Sequence, residues 1–427
     1  MVAASGHRAV ARCDALGATP YSTSPDFLYR GYLSSAHAEA VNQTARWMQD
    51  AGMSVRMDAA ANLIGRYEAV EDGLKTLLIG SHIDSVRNGG RYDGPLGVML
   101  GIECVAHLNN TGKRLPFAIE VIAFGDEEGS RFPVAMMCSK AVIGELVMGA
   151  SDMQDRDGVS LAEALDQFEH QIDLTIPEGS FGAARRNPGD ILAFVEAHIE
   201  QGPALESEQL SVGAVSGIAA QLRYEFRIKG EAGHAGTNQM HLRRDPLAGA
   251  AEIMVEIERL ANAGEPDEVA TVGRIEALPG AANVVPGEVA FFLDVRAGEQ
   301  VRRDALADKI LARAAEVCDA RKLIFSSEKL QDLAASPSDP KLLTTMEDAL
   351  EETGHKRRTL VSGAGHDAMI LAEICPTVML FIRCDGGISH NPLERVEPQD
   401  ADDALKVMLK FLELMEARAN DQLIQAD

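Results

Sequence analysis

The sequence predicts an α/β protein: a large α/β domain interrupted by a smaller, ferredoxin-like α+β domain. Its 427 residues exceed the usual size of a single domain. Between residues 74 and 124, an apolar strand, a glycine-rich loop, an apolar helix and a second apolar strand follow one another, which is the βαβ order of a helix-covered sheet. From about residue 213 the pattern changes to β-α-β-β-α-β, the order of a ferredoxin-like domain. We therefore place the large domain at residues 1–212 and 331–427, and the inserted domain at 213–330.

The first part of the large domain alternates helices with apolar strands. Its expected elements are a helix at 36–50, strands at 62–67 and 74–80, a helix at 98–108 and a strand at 117–124. The strand at 74–80 is apolar throughout, as expected of a strand that is buried on both faces. The loop 88–97, which precedes the helix at 98–108, carries four glycines and must therefore adopt tight or positive-φ backbone conformations.

The inserted domain begins with a strand at 222–228, where apolar and polar residues alternate. An amphipathic helix is expected at 242–260, with Pro246 tolerated in its first turns. The remaining elements are strands at 269–277, 289–295 and 323–328 and a helix at 301–320. The large domain then resumes and closes with a helix at 401–417.

Composition excludes several classes of function. The formal net charge of -25 argues against binding to nucleic acid or to anionic membranes, both of which require a basic surface. No apolar run approaches the roughly 20 residues of a membrane helix. Arg12 and Asp14 interrupt the apolar segment 9–18, so we expect no signal peptide. Six cysteines without CxxC spacing predict reduced thiols and a cytoplasmic protein.

Polar residues with metal-binding chemistry follow two of the expected apolar strands and also lie in the glycine-rich loop. His82 and Asp84 come directly after the strand at 74–80, and Asp93 lies within the glycine-rich loop. Three adjacent carboxylates, at 126–128, follow the strand at 117–124. Each pattern has an ordinary alternative: a surface ion pair, a tight turn capped by an aspartate, or a solvated acidic face. At the end of a buried strand, however, an acidic run favours a cation site in which one carboxylate ligates and its neighbour acts as a base.

Three further histidines lie in glycine-rich or strand-end segments. His198 follows the apolar run 191–195, His390 follows 377–382, and His234 lies in a glycine-rich loop of the inserted domain. A lone histidine near a strand end is usually structural. His82, His198 and His390, which all follow apolar strands, together with two acidic segments instead favour a site for Zn, Mn, Co or Ni, because these ions accept imidazole and carboxylate ligands. Two cations that share a carboxylate can activate one water molecule between them.

These motifs resemble the dinuclear-metal aminoacylase/carboxypeptidase superfamily. Within it, the chain is most similar to the branch of N-carbamoyl-L-amino-acid hydrolases, allantoate amidohydrolases and β-ureidopropionases. The resemblance covers nearly the whole chain and rests on the segments 88–97, 127–132, 198–203 and 362–367. It implies a metal-dependent amidohydrolase with two divalent ions, Zn or Mn, with Co or Ni also possible.

The resemblance also implies a role for each site residue. In the large domain, His82 and His198 would hold one metal ion, Glu128 and His390 the other, and Asp93 would bridge them. Glu127 would be the general base, and Asp84 would orient His82. The inserted domain would act as a lid and as the interface of a homodimer. The substrate-binding residues would be His234, Asn283, Arg296 and Gln221 in the inserted domain and Gly365 in the large domain, with His234 reaching the site of the partner subunit and polarising the scissile carbonyl.

Gln221 favours one substrate within this branch. A primary amide both donates and accepts hydrogen bonds, as recognition of a ureido group requires. A glutamine at this position is similar to the allantoate amidohydrolases, so we expect a small anionic ureido substrate, with allantoate first and N-carbamoyl amino acids as the alternative. A peptidase or aminoacylase and a non-catalytic relative remain as further alternatives. Gly233 and the segment 237–240 depart from the commonest pattern of the branch, which concerns loop geometry and substrate choice.

Overall fold

The computed structural model describes residues 3–145, 152–179 and 181–424, with side chains up to residue 419. The chain divides into two compact units. The large unit contains the chain up to Ser216, Ser338–Leu360 and everything from His366 onwards. The small unit contains Gly217–Pro337 and Val361–Gly365.

The helices and strands of the described residues are as follows. The helices are α1 Gly6–Leu16, α2 Ser35–Asp50, α3 Pro95–Thr111, α4 Met137–Ile143, α5 Leu161–Glu169, α6 Ala204–Ser207, α7 Pro246–Asn262, α8 Gln300–Arg321, α9 Pro340–Glu352, α10 Asp367–Leu371 and α11 Pro398–Ile424. The strands are β1 Ser54–Met57, β2 Leu63–Tyr67, β3 Thr76–His82, β4 Ala118–Phe124, β5 Ile191–Ile199, β6 Val212–Ile218, β7 Ala220–Lys229, β8 Gly233–His234, β9 Val269–Leu278, β10 Val284–Val285, β11 Glu288–Ala297, β12 Ile324–Leu333, β13 Ser336–Pro337, β14 Thr359–Ser362 and β15 Thr377–Ile382.

The centre of the large sheet is parallel. Seven of its strands run in the order β1-β2-β4-β3-β5-β15-β6, and the pairs β4–β3, β3–β5 and β5–β15 are parallel. Strands β3, β4 and β15 are buried along their whole length, as their largely apolar sequences predict. The carboxyl ends of four neighbouring strands therefore meet at one edge of the sheet.

Helix α3 packs against this sheet and starts earlier than the sequence pattern predicts. It begins at Pro95, not at residue 98, because proline is favoured at the first position of a helix, where no N–H is needed. Gly94, with φ of 84°, makes the turn into it. A side chain at Gly97 would meet the backbone oxygen of Ala197 at 2.1 Å, so glycine lets α3 pack directly on β5.

The small unit is a four-stranded antiparallel sheet in the order β12-β7-β11-β9. Numbered by appearance within the unit, this is the order 4-1-3-2 of a ferredoxin-like fold. Its core includes Phe226, Phe291, Ile253 and Ile310, from two strands and from both helices α7 and α8. The predicted class, α/β with a ferredoxin-like insertion, is confirmed.

Two details of the small unit differ from the sequence prediction. Helix α7 begins at Pro246, whereas the amphipathic pattern suggested residue 242. The carboxylate of Asp245 accepts hydrogen bonds from the N–H groups of Leu247 and Ala248 and thereby caps the helix at this point. Strand β12 extends to Leu333, five residues beyond the predicted end, because it stays paired with β7 as far as Gln221.

Two further expectations can be compared with the described residues. No helix among them is long and apolar enough to cross a membrane. All six cysteines are buried and form no disulfide.

Candidate metal centre

The candidate site lies at the carboxyl edge of the large sheet. Strand β3 ends at His82, β5 carries His198 one residue before its end, and the loop after β15 carries His390. The acidic segment that follows β4 carries Glu127 and Glu128. The parallel order of these strands thus explains why residues that are far apart in the sequence converge.

Asp93 is the centre of this convergence. Its Oδ1 lies 3.4 Å from His82 Nε2 and 3.1 Å from His198 Nε2. Its Oδ2 lies 3.3 Å from His390 Nε2, which is also 3.4 Å from Glu128 Oε1. The two oxygens of one carboxylate therefore face two different sets of ligand atoms. All five residues predicted as metal ligands are brought together in this way.

The ligand atoms form groups that could hold metal ions. His82, Asp93 and His198 offer three atoms within 4.8 Å of one another, and Asp93, Glu128 and His390 do the same. Within the described residues, the buried Nε2 of His198 has no hydrogen-bond partner of suitable geometry, although it faces Asp93. Buried imidazole nitrogens that point at a carboxylate without forming a proper hydrogen bond fit a cation between them, and the donor set suits Zn or Mn.

Asp84 positions other residues of the site. Its Oδ1 lies 3.2 Å from His82 Nδ1, so it can fix the tautomer and orientation of that ring. It also accepts the backbone N–H of Glu127 at 3.1 Å and of Glu128 at 3.3 Å. One fully buried carboxylate therefore positions both a histidine and the acidic segment.

Burial and the neighbouring charged groups shift the pKa values of the site residues. Burial alone would raise the pKa of Asp93, but the neighbouring imidazoles of His198, His390 and His82 hold it well below its usual range. Burial raises the pKa of Glu127 well above its usual range, to which the charge of Glu128 adds. A carboxyl group with a raised pKa is suited to taking up a proton at neutral pH.

Two more carboxyl groups lie buried beneath the ligands. Asp126 and Asp367 are fully buried, and among the described residues no hydrogen-bond donor reaches the carboxyl oxygens of Asp126. Burial and neighbouring carboxylates raise the pKa of both well above the usual range. Because a buried charge is costly, burial disfavours the ionised form of both groups.

The small unit brings two of the predicted substrate residues onto neighbouring strands. Gln221 on β7 is paired in register with Arg296 on β11. Asp294 accepts hydrogen bonds from both, at 2.5 Å from Gln221 Nε2 and 2.7 Å from Arg296 Nε. Arg296 Nη2 contacts Asp294 at 3.3 Å, and Nη1 donates to the backbone oxygen of Gly363, two residues before Gly365. Three of the five N–H groups of this guanidinium are thus engaged.

Two further predicted substrate residues of the small unit, His234 and Asn283, are also neighbours. His234 on β8 pairs with Val284 on β10, and the N–H of Ala235 donates to the backbone oxygen of Asn283 at 2.9 Å. The exposed ring of His234 accepts the N–H of Gly236 at its Nδ1, at 3.1 Å. A neutral imidazole that accepts at Nδ1 carries its proton on Nε2, so His234 is prepared to donate a hydrogen bond.

Residues 78–414 match the family described as Peptidase family M20/M25/M40. The chain belongs to this family. It is 42% identical over 383 residues to an N-carbamoyl-L-amino-acid amidohydrolase of Pseudomonas sp. (strain NS671), covering 89% of this chain and 91% of that protein. It is 38% identical over 437 residues to an allantoate deiminase of Arabidopsis thaliana, covering 95% of this chain and 81% of that protein.

Solved structures of hydantoinase/carbamoylase family amidases resemble this chain over nearly its whole length. A hydantoinase/carbamoylase family amidase from Burkholderia multivorans has a TM-score of 0.87 and 31% identity, covering 97% of this chain and 98% of the other. The family expected from the sequence motifs is thereby confirmed. The relatives thus include both an N-carbamoyl-L-amino-acid amidohydrolase and an allantoate deiminase.

This member of the M20/M25/M40 family also uses residues that the sequence analysis missed. Glu394 accepts the N–H groups of Tyr92 at 2.8 Å and Asp93 at 3.1 Å, so it holds the glycine-rich loop in place. A side chain at Gly90 would approach the Glu394 carboxyl carbon to 2.0 Å, which explains the glycine there. In the sequence, Glu394 is recognisable only as an acidic residue four positions after His390. This pattern is too common to identify a functional residue.

Two other neighbours of the ligands also escaped the sequence analysis. Glu196 and His366 lie close enough to His198 to form a further group of three potential ligand atoms. The rings of His366 and His198 meet edge to face at 4.4 Å between centroids. Glu196 accepts hydrogen bonds from Ser81 Oγ at 2.8 Å and from the N–H of Ala368 at 3.0 Å, so these contacts give it a structural role.

Proposed function

We propose that this protein is a hydrolase that uses two divalent cations to cleave a C–N bond in a small anionic ureido compound. Allantoate is the first candidate substrate, and an N-carbamoyl-L-amino acid is the alternative. The observation that carries the proposal is the arrangement around Asp93, whose two oxygens face His82 and His198 on one side and His390 on the other.

The cations would be Zn or Mn, with Co or Ni also compatible with the ligands. His82 and His198 would hold one, Glu128 and His390 the other, and Asp93 both. When bound, the cations supply the positive charge that acidifies a water molecule between them. They also neutralise the carboxylates that otherwise repel one another here.

Glu127 is the proposed general base and acid. It is 9% exposed, next in the chain to a ligand, and its backbone N–H is fixed by Asp84. Its raised pKa lets it take the proton of the attacking water and pass it to the nitrogen that leaves. Hydrolysis of allantoate in this way gives ureidoglycine or its breakdown product, ammonia and carbon dioxide.

The small unit is proposed to bind the substrate. Arg296 would pair with the substrate carboxylate through its remaining N–H groups, with Asp294 and Gly363 setting its orientation. Gln221 would contact the ureido group and Gly365 would line the same end. His234 would donate its Nε2–H to the scissile carbonyl oxygen, with Asn283 beside it.

The small unit is also proposed as a lid and as the interface of a homodimer, in which His234 completes the site of the partner. Eleven of the thirteen large apolar side chains exposed among the described residues belong to the small unit, Met240, Val255 and Ile324 among them. We take this concentration of exposed apolar side chains on one unit as support for an interface there. The six buried, unpaired cysteines are consistent with the proposed cytoplasmic location.

One experiment tests the proposed reaction. The purified protein, loaded with Mn or Zn, is assayed side by side with allantoate, an N-carbamoyl-L-amino acid and a dipeptide. We expect turnover of a ureido compound, with allantoate first. Preferred turnover of the dipeptide would make the protein a peptidase, and no turnover of any of the three would favour a non-catalytic relative.

A further inference from the structure

Gln201 and Ser389 both reach the same oxygen of Asp93. Gln201 Nε2 donates to Asp93 Oδ2 at 2.8 Å, and Ser389 Oγ donates to it at 2.7 Å. Gln201 Nε2 and Ser389 Oγ are also 3.3 Å apart. Because the carboxylate oxygen can only accept, Gln201 must turn its NH2 group towards it. Oδ2 is the oxygen that faces His390, whereas Oδ1 faces His82 and His198.

The backbone of this region is strained in a way that serves these contacts. Gln201 has φ of 58° and His390, next to Ser389, has φ of 53°. Residues other than glycine rarely adopt this left-handed conformation, which costs of order 1 kcal/mol or more. Within the described residues, the buried Oε1 of Gln201 also has no hydrogen-bond partner. The strained backbone and the unpaired amide oxygen of Gln201 therefore accompany the N–H group that it donates to Asp93.

The two halves of the site differ in how firmly their other ligands are held. His82 and His198 are buried, and each has its Nδ1 close to an oxygen: 3.2 Å from Asp84 Oδ1 and 2.9 Å from the backbone oxygen of Ile199. The His390 side chain is 51% exposed and lies on a loop. Next to it, Ser389 Oγ lies 3.2 Å from Glu394 Oε2, so this serine connects the loop to the residue that holds the N–H of Asp93.

We infer that Gln201 and Ser389 are positioning residues for the second cation, the one held through Asp93 Oδ2, Glu128 and His390. This inference rests on the proposed two-cation function. By fixing the rotation of the Asp93 carboxylate and the loop of His390, the two donors set the affinity of this ion. The first ion has two buried, independently anchored imidazoles and depends on them much less.

Cobalt(II) binding tests the inference without measuring activity. The metal-stripped protein is titrated with Co²⁺, following the visible absorption of the bound ion and the number of ions per chain. The variants are Gln201→Leu and Ser389→Ala, which remove the donors, and Ser389→Thr, which keeps the hydroxyl. The matched control is Gln209→Leu, since Gln209 is exposed and has φ of 57° but lies outside the site.

We expect the parent, Ser389→Thr and Gln209→Leu to bind two ions alike. Gln201→Leu and Ser389→Ala should bind the second ion about 10- to 100-fold more weakly, as is general for residues that orient a metal ligand. They should keep the first ion and its absorption spectrum, which also shows that they fold. Second-ion affinities unchanged from the parent, or equal weakening of both ions, would overturn the inference. A parent that binds fewer than two ions would instead overturn the proposed function on which it rests.

Discussion

Mixing two inactive variants decides whether His234 acts in the site of a partner subunit. One variant is His234→Ala, which removes the Nε2–H donor of the small unit; the other is Glu127→Gln, which removes the proposed base of the large unit. Each homodimer then carries the same defect in both of its sites. If His234 acts across the interface, a mixed dimer has one site with both defects and one site with neither.

The size of the expected recovery follows from the symmetry of a two-fold dimer. After random exchange of equal amounts of the two variants, half of all dimers are mixed. Each mixed dimer has one intact site out of two. Activity should therefore return to about a quarter of the parent value. Glutamine keeps the size of Glu127 but cannot take up a proton, so the variant alone should stay inactive and the background low.

The assay measures ureido hydrolysis before and after subunit exchange, with differently tagged subunits to count the mixed dimers. His241→Ala is the matched control, because His241 is another exposed histidine of the small unit, and it should keep near-parent activity without mixing. Mixed dimers that form and yet remain inactive would refute action in trans. A monomeric parent in solution would refute the dimer itself.

Three further predictions concern the large unit. Glu127→Gln should retain both metal ions and lose about 10²- to 10⁴-fold in kcat, so a variant with near-parent turnover would contradict its role as a base. In the ion-free protein, hydrogen bonding to Asp93 raises the pKa of His390 to about 9, so metal uptake must release protons and the apparent affinity must fall as pH drops below that value. Calorimetry in buffers of different ionisation enthalpy counts those protons, and a count of zero would contradict the ligand assignment. Gly90→Ala should weaken metal binding because its methyl group would displace Glu394, and an unchanged titration would show that the loop adapts.

The convergence of the proposed metal ligands was predictable because apolar strands end at polar residues. His82 and Glu128 each follow a run that is buried on both faces, and parallel strands bring such ends together whatever their separation in the sequence. The residues that hold the ligands were not predictable in the same way. Gln201 and Glu394 reach Asp93 through hydrogen bonds across 108 and 301 positions, and no local pattern records such a contact.

The boundary of the small unit was also only partly readable from the sequence. The β-α-β-β-α-β pattern predicts where the inserted strands and helices lie, since the periodicity of apolar residues is local. It contains no sign that Val361–Gly365, far downstream, packs with this unit. That assignment depends on tertiary contacts, among them the N–H of Ala219 with the oxygen of Ser362 at 2.8 Å and the contact of Arg296 with Gly363.

The return of Val361–Gly365 to the small unit means that the chain passes between the units four times instead of twice. Excision of Gly217–Pro337 would therefore not yield the whole small unit, because such a fragment would leave Arg296 without the oxygen of Gly363. The same short segment is followed immediately by His366, whose ring lies against that of His198. Only two residues, Ala364 and Gly365, therefore separate the backbone oxygen that holds this guanidinium from a side chain packed on a proposed metal ligand.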